Sequence, residues 1–367
     1  MKVLQIINSL GTGGAEKLLL DSIPLYRKAG VEMDLLVFWD HDLPFLKELE
    51  KQHCCKIYVL SKSSNFRSIY NPMHILRMRR IMQQYDIAHV HLFPAQYYAV
   101  FANKLNGLLN KSKIPLVFTE HSTSNRRIAN LKFRWLEKWI YRNYKSHICI
   151  TPQIRDIYNT YLGSDKGRFV IANGVDVARY AEALPLQKND FVGQEDFLLI
   201  QVSSFREQKD QPTLIRSLAY LPEKVNLLLV GDGPSRQFCE NLTAELGLQQ
   251  RVQFLGIRTD VPQLLKTADV VVLSSIYEGL SLSSIEGMAA RPFIASDVPG
   301  LHETVNDYGL LFPQGDAEAL AAQIIKLYED KGFYHQIAEQ CYNRAKYFDI
   351  NTMVHQYMTV YKSISLE

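Results

Sequence analysis

Glu278 and Glu286 stand eight residues apart in IYEGLSLSSIEGMAARP (276–292), around Gly279 and the serines Ser281, Ser283 and Ser284. The apolar run DVVVLS (269–274) reads as a buried strand, and a helix is expected from near Ser283 through Ala290. The loop between them then lies at the carboxyl end of a parallel strand, where open α/β sheets bind ligands. Gly279 lets backbone approach a ligand closely, and the serines are helix-capping types. Unsatisfied N–H groups at a helix start, reinforced by its dipole, suit a diphosphate. Glu286 falls about one turn inside the helix, and Glu278 sits at the mouth of the loop. Phosphate would repel both carboxylates, so they suit hydrogen bonds from hydroxyl groups, as on a ribose or a sugar. Two solvated glutamates flanking a loop are the plain alternative.

Other segments carry candidate chemistry. REQKD (206–210) offers two cations, or simply a charged turn before a helix. GTGGAEK (11–17) follows the first strand and opens the first helix, but Glu16 stands where a nicotinamide fingerprint needs its last glycine or alanine. His121 ends the strand PLVFTEH, a place where a lone histidine is usually a satisfied structural residue. His89 and His91 share one face of DIAHVHL; with no third ligand evident, no metal site is expected there. NRRIANLKFRWLEKWIYRNYK (125–145) sets seven Lys/Arg against Glu137 alone, with Phe133, Trp135, Trp139 and Tyr141 interleaved. Such a segment either lies on an anionic membrane or buries its aromatics as a crossover helix. MHILRMRR (73–80) adds a smaller basic patch.

These residues need a frame. Apolar runs at 2–8, 33–39, 56–60, 86–92, 115–121, 147–151 and 168–173 read as strands, with helical spacing between them, as in Leu18, Leu19, Ile23 and Tyr26. The rhythm breaks over the polar stretch 178–196 and restarts with runs at 197–203, 225–231, 251–256, 269–274, 292–296 and 308–312. The expectation is α/β: two Rossmann-like doubly wound domains, residues 1–184 and 185–367, facing each other across a cleft, with the last helices packing back on the first domain. A length of 367 residues fits two domains. A net charge of +3 excludes nucleic acid as a partner implied by bulk charge. Five scattered cysteines without CxxC spacing favour a reducing compartment. The apolar stretch after Lys2 is too short for a signal peptide and no run reaches transmembrane length, so the chain reads as cytoplasmic, with any membrane contact peripheral and on the inner face.

EGLSLSSIEGMAARPFIASDVPG (278–300) resembles the E-x7-E signature of retaining GT-B glycosyltransferases, the family-four-like and group-one enzymes. The resemblance continues in family order through NSLGTGGAEK (8–17), TEHS (119–122), IANGVD (171–176), SSFREQKD (203–210), LLVGDGP (228–234), VQFLG (252–256), GLHETV (300–305) and GLLFP (309–313). It implies that Glu278 meets donor-sugar hydroxyls, Glu286 holds the nucleotide ribose, and backbone at Gly279, Leu280, Ser281, Leu282 and Ser283 meets the phosphates. Lys209 and Arg206 would be the cationic clamp on the diphosphate; many relatives carry the clamp arginine where Ser204 stands. Gly13 and Gly14 would let donor phosphate and acceptor approach, and His121 would reach the donor sugar. Gly231, Ile257 and Arg258 fall on the donor side, the last two beside the nucleobase. His91, Asn125 and Arg126 fall on the acceptor side. Two departures stand out: Gly287, where the family usually has alanine, costs about 1 kcal/mol of helix propensity, and Arg291 replaces a turn glycine.

The resemblance therefore implies a retaining glycosyltransferase without metal or other cofactor. It would move a sugar from a nucleotide diphosphate, uridine being the commonest base, to an acceptor hydroxyl in cell-surface polysaccharide or glycolipid synthesis. The partners implied are the donor, a carbohydrate or lipid-linked acceptor, and a membrane surface along 125–145. The alternatives are a nucleotide-sugar epimerase, a phosphorylase, or a non-catalytic sugar-nucleotide-binding protein.

Overall fold

The structure, a computed structural model, describes residues 1–11, 13–121, 133–165 and 167–365. It divides into two compact units, Met1–Gly174 with Ile350–Glu367, and Val175–Asp349. The sequence reading sets its boundary ten residues later, after residue 184; the helix Val177–Ala181, inside the stretch read as a linker, lies in the second unit.

In the first unit the strands are β1 (Lys2–Ile7), β2 (Glu32–Val37), β3 (Ile57–Val59), β4 (Ile87–His91), β5 (Leu116–Glu120), β6 (Ser146–Cys149) and β7 (Arg168–Val170). They form one parallel sheet in the order β3-β2-β1-β4-β5-β6-β7. Each expected run has become a strand, because a sheet covered by helices on both faces demands apolar residues on both. β4 is buried at every position. The chain runs one way along the sheet from β1 to β3 and the other way from β3 to β7. Right-handed crossovers therefore place the helices Gly14–Lys28 and Pro44–Lys51 on one face, and Met73–Met82, Ala95–Leu108 and Arg134–Tyr141 on the other. The last helix, Ile350–Ser365, completes the first face. Its Met353, Tyr357 and Tyr361 join one buried cluster with Leu18, Leu19, Ile23 and β1.

The second unit repeats the plan with β8 (Phe197–Val202), β9 (Val225–Val230), β10 (Val252–Gly256), β11 (Val270–Leu273), β12 (Phe293–Ser296) and β13 (Leu310–Phe312). Their order is β10-β9-β8-β11-β12-β13, again all parallel among the pairs formed. Each sheet thus has a switch point where neighbouring strands send their following helices in opposite directions. It lies between β1 and β4 in one unit and between β8 and β11 in the other. That is where a crevice opens at the carboxyl ends.

Candidate active site

In the second unit the chemistry gathers at the β8/β11 switch point. The loop after β8 carries Ser203–Asp210, and the loop after β11 carries Ser274–Ser281. Asp210 adopts a left-handed conformation (φ 42°) and caps the helix Gln211–Ser217 through Thr213. Lys209 Nζ contacts Glu278 Oε1 in a close ion pair, and Ser275 Oγ donates to the same oxygen at 2.7 Å. Side-chain exposure is 17% for Lys209 and 8% for Glu278, so water screens this pair only weakly. Ser274 Oγ ties the loops together, bonding Gln201 Oε1 at 3.0 Å and the carbonyl of Asp210 at 2.8 Å. Gln208 adds two links, from Ile276 N to its carbonyl and from its amide to the carbonyl of Tyr277, each 2.8 Å.

The helix after this loop runs Leu282–Ala290, one residue earlier than the sequence suggested. Ser281 occupies its N-cap position without a side-chain capping bond, and Ser284 Oγ instead donates to the Ser281 carbonyl at 2.7 Å. Glu286 lies one turn inside, buried, and accepts from Tyr180 Oη at 2.7 Å. Gly287 has a packing reason that propensity does not show: a Cβ there would meet the Phe293 ring at 2.6 Å and Val271 at 2.8 Å.

Gly300 crowds the same loop. Its φ is +87°, and a Cβ would overlap the carbonyl oxygens of Glu278 and Gly279. Gly300→Ala is expected to destabilise the second unit by about 1–3 kcal/mol and to displace Glu278. Chemical denaturation checks the loss of stability, and an unchanged midpoint would show that the loop accommodates the added Cβ. Gly231 (φ +130°) is similarly pressed, with a Cβ there overlapping the Ser203 carbonyl that precedes the clamp.

Arg206 and Ser204 are exposed. Ile257 is 71% exposed, and Arg258 is held by Asp260 through bonds of 2.8 and 2.5 Å rather than by a clamp partner. Arg291, in place of the turn glycine, donates to the carbonyls of Ala268 (2.8 Å) and Lys266 and so pins the turn with its side chain.

In the first unit, Gly13 is the N-cap of the helix Gly14–Lys28 and both glycines are exposed. Behind the carboxyl ends of β1, β4 and β5 runs a chain of buried polar groups. Gln5 donates its amide to Tyr361 Oη at 3.2 Å, so its Oε1 faces His91 Nε2 at 2.8 Å as an acceptor. Neutral His91 must then carry its proton on Nε2, and its Nδ1 accepts from His121 Nε2 at 3.0 Å. Neutral His121 consequently presents Nδ1 as a hydrogen-bond acceptor. Burial pushes the His121 pKa down to about 4 and holds His91 well below its ordinary value, with His89 and His121 adding repulsion at His91. His89 stands behind them, between Tyr361 Oη (2.6 Å) and Thr119 Oγ1 (2.7 Å). Among the described residues no group of three His, Cys, Asp or Glu could hold a metal ion. Asn125 and Arg126 lie outside the described residues, as does the start of the basic segment 125–145.

Sequence reasoning named the two glutamates, Lys209 and the histidines as candidates, but not the partners they have in the structure. Tyr180, Gln5 and Gly300 reach these residues only through tertiary contacts, while Ser275 is a near neighbour of Glu278 in the same loop. Asp176, an N-cap residue directly before VARYA, was the available signal for the helix that delivers Tyr180.

Comparison with known proteins bears on both units. Residues 12–179 match the family described as Glycosyltransferase Family 4, and residues 186–344 match Glycosyl transferases group 1. The chain is similar to an N-acetyl-alpha-D-glucosaminyl L-malate synthase of Bacillus anthracis, 29% identical over 76% of this chain and 75% of that one. It is also similar to a UDP-Gal:alpha-D-GlcNAc-diphosphoundecaprenol alpha-1,3-galactosyltransferase of Escherichia coli, 27% identical over 71% of each. In structure it resembles HepE of Anabaena, solved in complex with UDP and glucose, with a TM-score of 0.83 and 24% identity over 99% of this chain and 100% of that one.

Proposed function

Because the chain belongs to the glycosyltransferases, Family 4 in its N-terminal half and group 1 in its C-terminal half, we propose that it is a retaining, metal-independent hexosyltransferase using a UDP-sugar. Its fold is GT-B, two Rossmann-like domains with parallel sheets. The proposed acceptor is a hydroxyl of a growing polysaccharide or of a lipid-linked sugar, reached from the cytoplasm.

One observation carries the reading: Lys209 and Glu278 meet at the switch point of the second sheet, beside the start of the helix that buries Glu286. Donor diphosphate, seated on that helix start, competes for Lys209, and the ammonium neutralises charge as the nucleoside diphosphate departs. Arg206 adds a second cation from the same loop. Glu278, no longer engaged by Lys209, accepts hydrogen bonds from the sugar. Tyr180 holds one oxygen of Glu286, leaving the carboxylate oriented for the ribose hydroxyls. His121, neutral and presenting an acceptor nitrogen, orients a sugar hydroxyl. A pKa near 4 makes it a weak base at neutral pH, which favours the departing phosphate as the group that takes the acceptor proton, on the same face of the sugar. The uridine and the lipid-linked acceptor are supported by the E. coli relative's name and by the UDP seen in HepE.

The test is UDP release from a UDP-sugar, with product configuration read by proton NMR. The expected result is release that requires an acceptor, persists in EDTA, and gives a product with the donor's anomeric configuration. Donor interconversion without acceptor would indicate an epimerase, a requirement for inorganic phosphate would indicate a phosphorylase, and UDP binding without release would indicate a non-catalytic binder.

A further inference from the structure

The first unit segregates charge to an unusual degree. Between Glu50 and Asp156 the sequence has eighteen Lys/Arg against only Asp86, Glu120 and Glu137. Two of these three acids are buried: Glu120 accepts from Tyr141 and Tyr158, and Glu137 from Tyr97. Asp86 sits at the amino end of β4, bonded to the Lys2 backbone at 2.7 Å. With the whole chain at +3, this segment is cationic and the remainder compensates.

The topology places Arg77, Arg79, Arg80, Lys104, Arg134 and Lys138 of this set on the three helices of one face. Met73–Met82, Ala95–Leu108 and Arg134–Tyr141 cover one face of the first sheet and pack against one another. Asn106 bonds the Arg79 carbonyl at 3.2 Å and accepts from Gln83 at 3.3 Å, while Phe101 meets Trp139 at 5.9 Å between ring centroids. Their outward sides are not simply polar. Met73, Leu76, Phe133 and Trp139 are exposed, Leu108 is 80% exposed and Trp135 is 71% exposed. Arg77, Arg80, Lys104, Lys111 and Lys113 are interspersed, and Lys104 Nζ lies 5.6 Å from the Trp139 ring. Interior packing thus uses Tyr141 and Ile140 of the aromatic segment, and leaves both of its tryptophans outside.

We propose that this three-helix face docks on an anionic lipid bilayer, with Trp135, Phe133 and Leu108 entering the headgroup boundary and the surrounding lysines and arginines meeting lipid phosphates. Charge complementarity selects the partner: a face rich in cations, without an exposed acid on its helices' outward sides and studded with large apolar side chains, fits a negatively charged interface. Among the described residues no helix is long and apolar enough to cross a membrane, so the contact is a surface one. The inference deepens the glycosyltransferase reading by supplying a route to lipid-linked acceptors, yet it rests on surface chemistry alone.

The experiment is sedimentation of the full chain with vesicles of phosphatidylcholine, with and without 30% phosphatidylglycerol, while following tryptophan fluorescence. Binding to the anionic vesicles is expected, with a blue shift and at least a tenfold weakening between 50 and 500 mM salt. Arg80→Glu with Lys111→Glu and Lys113→Glu should weaken partition at least tenfold, and Trp135→Ser with Leu108→Ser should abolish the blue shift. Equal binding to neutral vesicles, no binding to either, or unchanged binding in both variants would overturn the proposal, as would capture of RNA with no capture of vesicles. UDP-induced thermal stabilisation of the same variants separates the two ideas. If it persists while vesicle binding is absent in the parent protein, the docking face fails and the donor site stands; if vesicles bind and UDP does not, the reverse holds.

Discussion

Replacing Lys209 with alanine is expected to lower kcat about 10³-fold, the loss typical when one fixed group that stabilises developing charge is removed. UDP affinity should fall about 10²-fold, since a charge-assisted hydrogen bond to phosphate contributes roughly 1.5–3 kcal/mol. The same change strands Glu278, whose side chain is 8% exposed and whose carboxylate would keep only Ser275 as its bonded partner of the present two. A partly buried carboxylate without its cation costs about 2–3 kcal/mol, below the range for a fully buried pair because the serine remains. The two losses are separable. Lys209→Ala with Glu278→Gln should recover most of the stability, because the uncompensated charge is gone, and none of the activity. Denaturant unfolding and steady-state kinetics on the two single variants and the double variant form the cycle that checks this. A double variant that regains turnover would show that the lysine serves only to neutralise the glutamate.

Acidification from pH 6.5 to pH 4 is expected to destabilise the first unit by several kcal/mol. Burial lowers the pKa of His89 to about 3, of His147 to about 3 and of His121 to about 4, and holds His91 well below its ordinary value. Each is neutral in the folded chain and takes up a proton on unfolding once the pH is below about 6.5. The unfolded state therefore binds more protons across this window, and stability falls as pH falls, by up to about 1.4 kcal/mol per pH unit for each histidine. Stability is fully present above pH 6.5. His302 in the second unit has the opposite tendency, raised by Asp297, but is exposed at the surface. His147 offers the cleanest check. Among the described residues its Nε2 has no hydrogen-bond partner, and its ring packs against Tyr141 and Tyr144, so His147→Phe removes a titrating group at the cost of only the bond to the Tyr141 backbone. The slope of unfolding free energy against pH should flatten by about one histidine's share. An unchanged slope would mean that His147 is already protonated in the fold or solvated there.

How much of this was legible in the sequence differs by level. All thirteen strands among the described residues fall on apolar runs, because a parallel sheet buried on both faces leaves an unbroken hydrophobic signature. From those runs alone the loop after β11 was placed at a carboxyl end, which is why Glu278 could be named, whereas Lys209 was named from the family resemblance of SSFREQKD. Their direct pairing was not legible, since it spans 69 residues and depends on strand order. Tyr180 bonds Glu286 across 106 residues from a five-residue helix too short to show periodicity. Gln5 reads as one polar residue in a strand, and only its contact with Tyr361 on the last helix gives it an orientation. The departures from family pattern also needed coordinates: Gly287 answers to Phe293, and Arg291 to two carbonyls. The basic aromatic segment was open between burial and exposure in sequence; Tyr141 is buried and Trp135 exposed, so one short helix does both.

The central claim is that the Lys209–Glu278 loops receive a uridine diphosphate without help from a metal. The most direct measurement is thermal unfolding of the parent chain and Lys209→Ala with UDP, GDP, ADP or NAD, each with and without EDTA. A ligand at about 100 times its Kd adds about 2.7 kcal/mol, enough to move the midpoint visibly. The predicted result is stabilisation by UDP that survives EDTA in the parent chain and is lost in Lys209→Ala at the same concentration. Stabilisation by NAD alone, or by UDP only when a divalent metal is present, would contradict it.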